Sequence, residues 1–408
     1  MELLSILSAM RRNKVGAALI AVQIAVTLAV LCNALFIIQQ RLAASVRPTG
    51  VDEANILKIE NIWIGQPEDL PARVQTDLAA LRSLPGVIDA YVTNSFPLKT
   101  GGWSFGIRLE QDPQRAYVAD TAIYMADEHG LNTLGLHLVA GRNFSADELV
   151  DLQYDDRPKI PVAIVTRALA ERLFPKGDAL GKAIFFSPGS QTGTTRIIGV
   201  VDRLQVPWTS GGWINGANNS TLVPIKFISG GSYYLIRCRP GQIAAITQDA
   251  QKKLYEVNRE RILQSVQTLT QVRADAYRDD RGLAVILAIV CMALLAVTAF
   301  GIVGLTSYWV TLRRRQIGIR RALGATRGAI VGYFLTENVL VASAAVAAGI
   351  ALAIGMNLWM VSSFEMQRLP FSYVLSAAVL VVLLGQGSAL WPAVRAAAIP
   401  PALATRSA

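Results

Sequence analysis

Residues 283–310 have the sequence LAVILAIVCMALLAVTAFGIVGLTSYWV, which contains no charged side chain. As a helix this run exceeds the ~20 residues needed to cross ~30 Å of hydrocarbon. Three further runs, residues 15–38, 330–361 and 373–391, are also apolar, and the only charged residue in their sequences is Glu337. Since the whole chain is 52% hydrophobic and only 17% charged, with mean hydropathy +0.38, four transmembrane helices are predicted and a wholly soluble protein is excluded.

Positive charge is concentrated at the ends of these runs. The whole chain carries a net charge of +10, whereas its longest polar segment, residues 39–281, is almost neutral. Lysine and arginine are retained on the cytoplasmic side of a membrane. The N-terminus with Arg11 and Arg12, the loop after residue 312 and the C-terminus are therefore predicted to be cytoplasmic. Residues 39–281 are predicted to lie outside, and nucleic-acid binding is the weaker interpretation of the charge.

A cleaved signal peptide is the alternative for the first run, because a basic segment precedes it. The apolar stretch of residues 15–38 is longer than the ~7 to 15 residues of a signal h-region. An uncleaved membrane anchor is therefore favoured.

The outer segment is predicted to be a mixed α/β domain. Residues 55–62 (NILKIENI) alternate as a strand does, residues 70–84 have helical spacing, and residues 87–92 return to strand, which gives a βαβ start. We expect two subdomains, with the second inserted around residues 98–225. Shorter segments complete this prediction: strands at 115–125, 161–165, 183–186, 195–201 and 263–267, helices at 127–134, 166–173 and 242–258, and loops at 187–193 and 211–220.

A single long helix is predicted from about Thr270 to Leu312, because no proline interrupts this stretch. It would be ~60 Å long, about twice the membrane thickness. Its polar first half would stand outside the bilayer as a stalk, and such a rod is able to carry force.

The loop after the second run, residues 313–327, has the sequence RRRQIGIRRALGATR. Such a charge run alone indicates a topology anchor at a membrane surface. Here Ile317, Ile319, Ala322, Leu323 and Ala325 interleave with the arginines, and glycines 318 and 324 bracket a short helical turn. An apolar patch at this position predicts a docking site for another protein.

This loop, followed by an apolar run bearing Glu337, resembles the FtsX-like ABC permeases. Residues 135–148 (GLHLVAGRNFSADE), 161–175 (PVAIVTRALAERLFP) and 196–203 (RIIGVVDR) resemble the periplasmic core of the MacB group. Two departures concern the cytoplasmic contact: position 316 is Gln where the family usually has Glu, and the tail, IPPALATR, lacks the usual DPAEALR-like run.

The resemblance implies a bacterial inner-membrane protein with the following order: a cytoplasmic amphipathic segment (1–14), the first span (15–38), a periplasmic core domain with a stalk helix (39–281), the second span (283–310), a coupling loop (313–329), the third span (330–361), the fourth span (373–391) and a cytoplasmic tail (392–408).

The resemblance also implies a role for the loop. Residues 318–326 would form a coupling helix in a groove of a cytoplasmic ATPase, with Arg320 and Arg321 meeting acidic or carbonyl groups while Ile319 and Leu323 fill the groove. The residues expected to couple to the ATPase are Gln316, Gly318, Ile319, Arg320, Arg321, Ala322, Leu323, Gly324, Ala325 and Thr326.

ATP hydrolysis is expected from a partner and not from this chain. The sequence contains no G-x-x-x-x-G-K-[ST] motif, and its nearest match, GDALGKA at residues 177–183, has the wrong spacing and lies in the outer domain. A separate ATPase would bind ATP and Mg, and this chain would bind no cofactor. No catalytic cluster is apparent. The histidines, His129 and His137, lack clustered cysteines, so a metal site is not expected.

The resemblance implies two permease subunits, as a homodimer or a heterodimer, with two ATPase copies that drive export of a periplasmic substrate. A periplasmic adaptor and an outer-membrane channel would complete the assembly. Within the family, lipoprotein release or regulation of a cell-wall hydrolase is the alternative. From another class, the chain would be a membrane-anchored receptor without an ATPase, which predicts a ligand pocket in the outer domain.

Glu337 lies ten residues after Arg327, inside the third run, and two roles are possible for it. Acids inside a membrane are candidates for functional sites. The structural alternative is a carboxylate that is hydrogen-bonded beside Asn338 or to a neighbouring helix. Gln23, Asn33 and the small-residue run 343–349 (SAAVAAG) are interpreted as contacts between helices.

Overall fold

A computed structural model describes residues 14–65, 69–112, 114–152, 159–187, 193–209, 216–364 and 367–398. The predicted segment 1–14, except its last residue, and the tail beyond residue 398 therefore lie outside the described residues, as do parts of the predicted loops 187–193 and 211–220. The chain divides into a helical unit, Met1–Ala44 with Asp280–Ala408, and an α/β unit, Ser45–Asp279.

In the described residues, four helices are long and apolar enough to cross a membrane. They are α1 (Lys14–Ser45), α7 (Arg278–Leu312), α9 (Arg327–Phe364) and α10 (Phe371–Ala397), and the short α8 (Arg314–Ala322) lies between α7 and α9. Each long helix extends beyond the predicted run at both ends, because helical hydrogen bonding continues into the polar flanks that a hydropathy count omits.

Small and polar side chains hold these helices together, as the sequence predicts. At Gly349 in α9 an added Cβ would lie 3.0 Å from the carbonyl oxygen of Ala25 in α1, so the two backbones meet closely. The Asn33 amide of α1 donates to the Ala353 carbonyl at 3.2 Å, and the hydroxyls of Thr27 and Thr298 are 2.9 Å apart. Small residues permit close approach, and buried polar groups find partners across helices.

The α/β unit contains two larger sheets in its described residues. The first has the order β13-β1-β12-β2, and the second has the order β5-β9-β7-β10-β4-β3-β8. The second sheet runs from Trp103 to Val223, where an inserted subdomain around residues 98–225 is expected. The strands are β1 (Ile56–Trp63), β2 (Val87–Thr93), β3 (Trp103–Arg108), β4 (Ala119–Met125), β5 (Leu138–Gly141), β6 (Val150–Leu152), β7 (Val162–Thr166), β8 (Ala183–Phe186), β9 (Thr195–Val201), β10 (Ser220–Val223), β11 (Ile225–Phe227), β12 (Gly231–Cys238) and β13 (Arg261–Thr268).

The βαβ start is present in a split form. Helix α2 (Leu70–Arg82) connects β1 to β2, but β12 lies between these strands and pairs antiparallel with both. One face of this sheet packs against α2 and α5 (Ile243–Val257) through a core that includes Leu57, Ile59, Leu78 and Leu254. Two shorter helices, α3 (Gly130–Leu134) and α4 (Arg167–Leu173), follow β4 and β7. The expected strand at 115–125 and helix at 127–134 are both shorter than predicted.

The prediction of one continuous helix from Thr270 to Leu312 is wrong. The structure has α6 (Leu269–Ala276), a break at Tyr277, and then α7 from Arg278. The Thr268 side chain caps α6, and Tyr277 leaves the helical region with φ −107° and ψ 13°. Tyr277 is fully buried and its hydroxyl accepts a hydrogen bond from the Gln205 amide at 3.2 Å. A buried tertiary contact therefore overrides a local sequence that lacks any helix breaker.

Candidate functional site

The basic loop forms helix α8, which begins at Arg314 and ends at Ala322. A single residue, Arg313, separates it from α7, and its N–H still donates to the Trp309 carbonyl at 3.1 Å. Gly324, with φ +97°, ends the turn after the helix in a conformation that glycine adopts without strain. The expected helix over residues 318–326 is thus misplaced: Gly318 lies inside α8 and does not bracket it, whereas Gly324 does end the turn.

The apolar side chains of this loop point in two directions. Ile317 is buried in a small core with Val310, Ile330, Phe334 and Ala393. Ile319 is 46% exposed and Leu323 is 83% exposed, and they lie four residues apart, on the same side of the turn. Ile317 therefore fixes the helix to the spans, and Ile319 with Leu323 forms the outward apolar pair, which we call the loop patch.

Arg320 and Arg321, expected to meet a partner's acidic or carbonyl groups, both have contacts within this chain. The Arg321 guanidinium donates to the carbonyl oxygen of Ala397, at the end of α10, at 3.0 Å. The Arg320 guanidinium lies 5.0 Å from the centre of the Tyr333 ring. Arg320 is exposed and Arg321 half-buried, so these side chains orient the loop helix as well as present charge.

The remaining coupling candidates lie around the same helix. Gln316 and Ala322 are exposed on α8, and Gly324, Ala325 and Thr326 form the turn into α9, where only Ala325 is half-buried. The Thr326 hydroxyl accepts from the N–H of Ala329 at 3.2 Å. The turn is thereby capped at the start of α9, which leaves the loop patch at its outer side.

Glu337 is 2% exposed and forms an ion pair with Arg313, the residue that joins α7 to α8. The two guanidinium nitrogens of Arg313 donate to the two carboxylate oxygens at 2.7 and 3.1 Å, and the Tyr333 hydroxyl lies 3.4 Å from the same side chain. A bidentate contact of this kind fixes orientation as well as distance. It fastens the start of the loop helix to α9.

The hydrogen-bonding alternative for Glu337 was half right. Its neighbour Asn338 does bond to another helix, through its amide to the Gly385 carbonyl at 3.0 Å. Glu337 itself is held by an arginine 24 residues earlier in the chain. In the sequence Arg313 is one of several positive charges that indicate topology, and no periodic pattern in a single helix marks a pair across this distance.

No catalytic arrangement is found around this helix among the described residues. A small cleft is lined by Arg313, Gln316, Ile317, Arg320, Ile330, Tyr333 and Phe334. These groups offer fixed positive charge and apolar surface. Within the described residues no group of three or more metal-ligating side chains occurs.

Comparison with known protein families gives two matches along the chain. A model described as "MacB-like periplasmic core domain" matches residues 18–254, which is more than half of the chain. A second, described as "FtsX-like permease C-terminal", matches residues 286–401 and so includes the loop helix and Glu337.

Curated relatives show the same likeness. A macrolide export ATP-binding/permease protein MacB of Chromobacterium violaceum is 28% identical over 236 residues, 55% of this chain and 33% of that protein. A macrolide export ATP-binding/permease protein MacB 2 of Yersinia pestis is 26% identical over 291 residues, 65% of this chain and 38% of that protein. The chain thus spans little more than a third of the length of these relatives.

Among solved structures, the periplasmic region of MacB from Actinobacillus actinomycetemcomitans is 14% identical, with a TM-score of 0.33, and the match covers 55% of this chain and 94% of that one. The extracellular domain of the transporter YknZ from Gram-positive bacteria is 17% identical, with a TM-score of 0.31, covering 51% of this chain and all of that one.

Proposed function

Because this chain belongs to the family of FtsX-like permeases with a MacB-like periplasmic core domain, we propose that it is the permease subunit of an ABC transporter and couples to an ATPase through helix α8. The ATPase subunits bind ATP and Mg, and their ATP-driven closure moves the loop helix. Two permease subunits and two ATPase subunits form the working unit.

The loop patch is the observation that carries this proposal. Ile319 on the short, basic helix and Leu323 directly after it are both exposed, although exposure of such side chains is unfavourable. The helix that bears them is anchored by the Arg313–Glu337 pair and by the buried Ile317. A surface that is apolar, exposed and rigidly held suits a groove in a partner protein.

The distribution of charge supports the orientation. The loop bears six arginines between residues 313 and 327, whereas the α/β unit is almost neutral. We place α8 and both termini in the cytoplasm of a bacterial inner membrane and the α/β unit in the periplasm.

The movement of α8 is then transmitted along α7, which is ~50 Å long. A push on α8 reaches Arg313 at one end of α7, and the other end of α7 is joined to α6 through the single buried residue Tyr277. The mechanical work is done on the periplasmic side, where the α/β unit acts on a substrate, with an adaptor and an outer-membrane channel to complete export. Export is favoured over lipoprotein release because the core-domain match covers most of the α/β unit.

The test is co-purification of an ATP-binding subunit with the tagged chain from its native membrane. Ile319→Asp and Leu323→Asp place a charge in the loop patch without touching the buried Ile317, so the ATPase should be lost from the sample while the permease is retained. Leu323→Met keeps the patch apolar and should co-purify the ATPase at the wild-type level.

Reversal of charge at Arg320 and Arg321 is a second test of the same docking surface. If both Asp variants and the double reversal retain the ATPase, the docking surface is not α8 and the proposal is wrong. If the wild-type chain brings down no ATP-binding subunit at all, the receptor alternative replaces it.

A further inference from the structure

The α/β unit contains a cavity of about 310 Å³ on the face of the first sheet opposite its helix-covered core. Along β1 the side chains alternate: Leu57 and Ile59 enter the core, and Lys58 and Glu60 line the cavity. The residues named above for coupling take no part in it, so the cavity is independent of the proposed ATPase contact.

Strained backbone surrounds this cavity. In the part of the chain that the structure describes, three non-glycine residues have positive φ: Leu98 at 68°, Thr100 at 68° and Ser265 at 51°. Leu98 and Thr100 line the cavity, and Ser265 contacts Lys58, which also lines it. Such conformations are energetically unfavourable for residues other than glycine and gather at ligand clamps and active sites. Because all three strained residues lie at one cavity, the shape of this cavity is maintained at a cost in stability.

The residues with positive φ position two lysine ammonium groups at the cavity. Lys99 stands between Leu98 and Thr100, and its ammonium lies 4.4 Å from the centre of the Tyr233 ring. On the other side, the pairing of β1 with β13 shifts between Ile59 and Glu60, which leaves Ser265 as the extra residue of a bulge. A bulge redirects side chains, and here the Ser265 hydroxyl reaches the Lys58 ammonium at 2.7 Å.

Among the described residues each ammonium group has one hydrogen-bond acceptor and therefore has donors to spare. Lys58 is 4% exposed, and among the described residues the Ser265 hydroxyl is its hydrogen-bond acceptor, although an ammonium has three donors. Lys99 donates to the Asn94 carbonyl at 3.0 Å. Burial lowers the pKa of the Lys58 and Lys99 ammonium groups, and the nearby Glu60 carboxylate opposes this only in part.

The carboxylates of the cavity, in contrast, already have donors. Glu60 accepts from the Tyr233 hydroxyl at 3.3 Å, and burial raises the pKa of that phenol to about 12, so it stays protonated. Asp275 accepts from the Gln267 amide at 2.8 Å and pairs with Arg278. Two cations and two anions leave no net charge, so a singly charged ligand fits better than phosphate, which carries nearly two charges. A single anion between the lysines would accept hydrogen bonds from both ammonium groups.

The rest of the wall is apolar. Phe96, Leu98 and Val272 line the cavity and are each less than a tenth exposed. Ligand sites combine such a lining with a few convergent polar groups. We propose that this cavity binds an organic carboxylate on an apolar body, with the carboxylate between Lys58 and Lys99 and the apolar part against Phe96, Leu98 and Val272.

The test uses the full chain in lipid nanodiscs and isothermal titration with N-acetyl-leucyl-phenylalanine, which has one free carboxylate and an apolar body. Its C-terminal amide is the uncharged comparison, and empty nanodiscs give the background. We expect the acid to bind and the amide to bind at least tenfold more weakly, because a charge-assisted hydrogen bond is lost.

Lys58→Met and Lys99→Met should each weaken binding of the acid at least tenfold, whereas Lys252→Met, on the exposed side of α5, should leave it unchanged. Lys99 is half-buried, so its variant keeps the test valid if Lys58→Met disturbs folding. Each of four outcomes would overturn the proposal. The acid and the amide bind equally, or neither lysine variant weakens binding of the acid. Equimolar inorganic phosphate displaces the acid, or the acid does not bind at about 10 mM.

Discussion

Each of the two units contains a buried bidentate arginine–carboxylate pair, and these pairs, Arg261–Asp77 and Arg313–Glu337, differ in their surroundings. In the α/β unit, Arg261 and Asp77 are both fully buried, with nitrogen–oxygen distances of 2.7 and 2.8 Å. In the helical unit, the Arg313 side chain is 13% exposed, and its second contact with Glu337 is longer, at 3.1 Å.

The number of further partners also differs. Asp77 accepts from the Tyr234 hydroxyl at 2.8 Å, while Arg261 donates to the Asn258 carbonyl at 2.9 Å and lies 4.2 Å from the Trp63 ring. Around Arg313 and Glu337 the additional contact is the Tyr333 hydroxyl at 3.4 Å. A saturated buried pair specifies one packing arrangement, whereas a pair with few partners is able to reorganise at lower cost. The first suits a rigid domain, and the second suits a joint between a span and a loop that must move.

The largest effect is expected at the saturated pair. Asp77→Asn keeps the shape of the side chain but leaves the buried Arg261 without its counter-charge, which should lower the free energy of unfolding of the α/β unit by about 3–5 kcal/mol. Pulse proteolysis of the full chain in urea measures this loss. Asp249→Asn, on the exposed side of α5, is the matched control and should change it by less than ~0.5 kcal/mol. A loss below ~1 kcal/mol at Asp77 would show that Arg261 is satisfied without it.

A smaller, coupled effect is expected at the joint. Arg313→Met and Glu337→Met should each lower stability in an SDS unfolding titration by roughly 2–3 kcal/mol, and the double variant should cost little more than either, with a coupling energy of ~1–3 kcal/mol. Each single change leaves a buried charge, and the double change removes both.

Thr336→Val is the control for this cycle, because Thr336 is the exposed neighbour of Glu337 and its hydroxyl only bonds back to Gly332 in the same helix. Losses that simply add in the double variant would mean that Arg313 and Glu337 are not energetically coupled. The view of this pair as the fastening of α8 would then be wrong.

Sequence patterns predicted the elements better than the contacts between them. Apolar runs predicted the four long helices, and alternation predicted β1, β2, β7 and β9 within two residues at their ends, because these signals are local. The break at Tyr277 escaped prediction because its cause is a buried contact with Gln205, 72 residues away in the chain. No local residue marks it.

For the candidate site, too, sequence patterns predicted the element but not its contacts. The arginines and the interleaved apolar residues of the loop identified α8, but which of Ile317 and Ile319 faces inward depends on the packing of α9 and α10. The pairing of Arg313 with Glu337 and the cavity at Lys58 require tertiary register, and the latter depends on a one-residue bulge at Ser265. Local periodicity carries none of this information.

The smallest effect concerns Asp127, a buried carboxylate that lacks a close counter-charge. Its nearest arginine, Arg82, lies 3.8 Å away, and burial raises the pKa of Asp127 from 3.8 to about 6, which the charges of His129 and Arg82 only partly oppose. Because the pKa of the folded state lies above that of the unfolded state, the contribution of this group to stability is full below about pH 4 and is lost as the pH rises through about 6.

Asp127→Asn removes this titration and keeps the oxygen that accepts the His129 N–H at 3.0 Å. The variant should match the wild type at pH 4.5 and exceed its free energy of unfolding by roughly 1–2 kcal/mol at pH 7.5. Pulse proteolysis at the two pH values measures the difference, with the exposed Asp249→Asn again as control. No gain at pH 7.5 would show that Arg82 at 3.8 Å compensates the charged carboxylate of Asp127 as fully as Arg261 compensates that of Asp77.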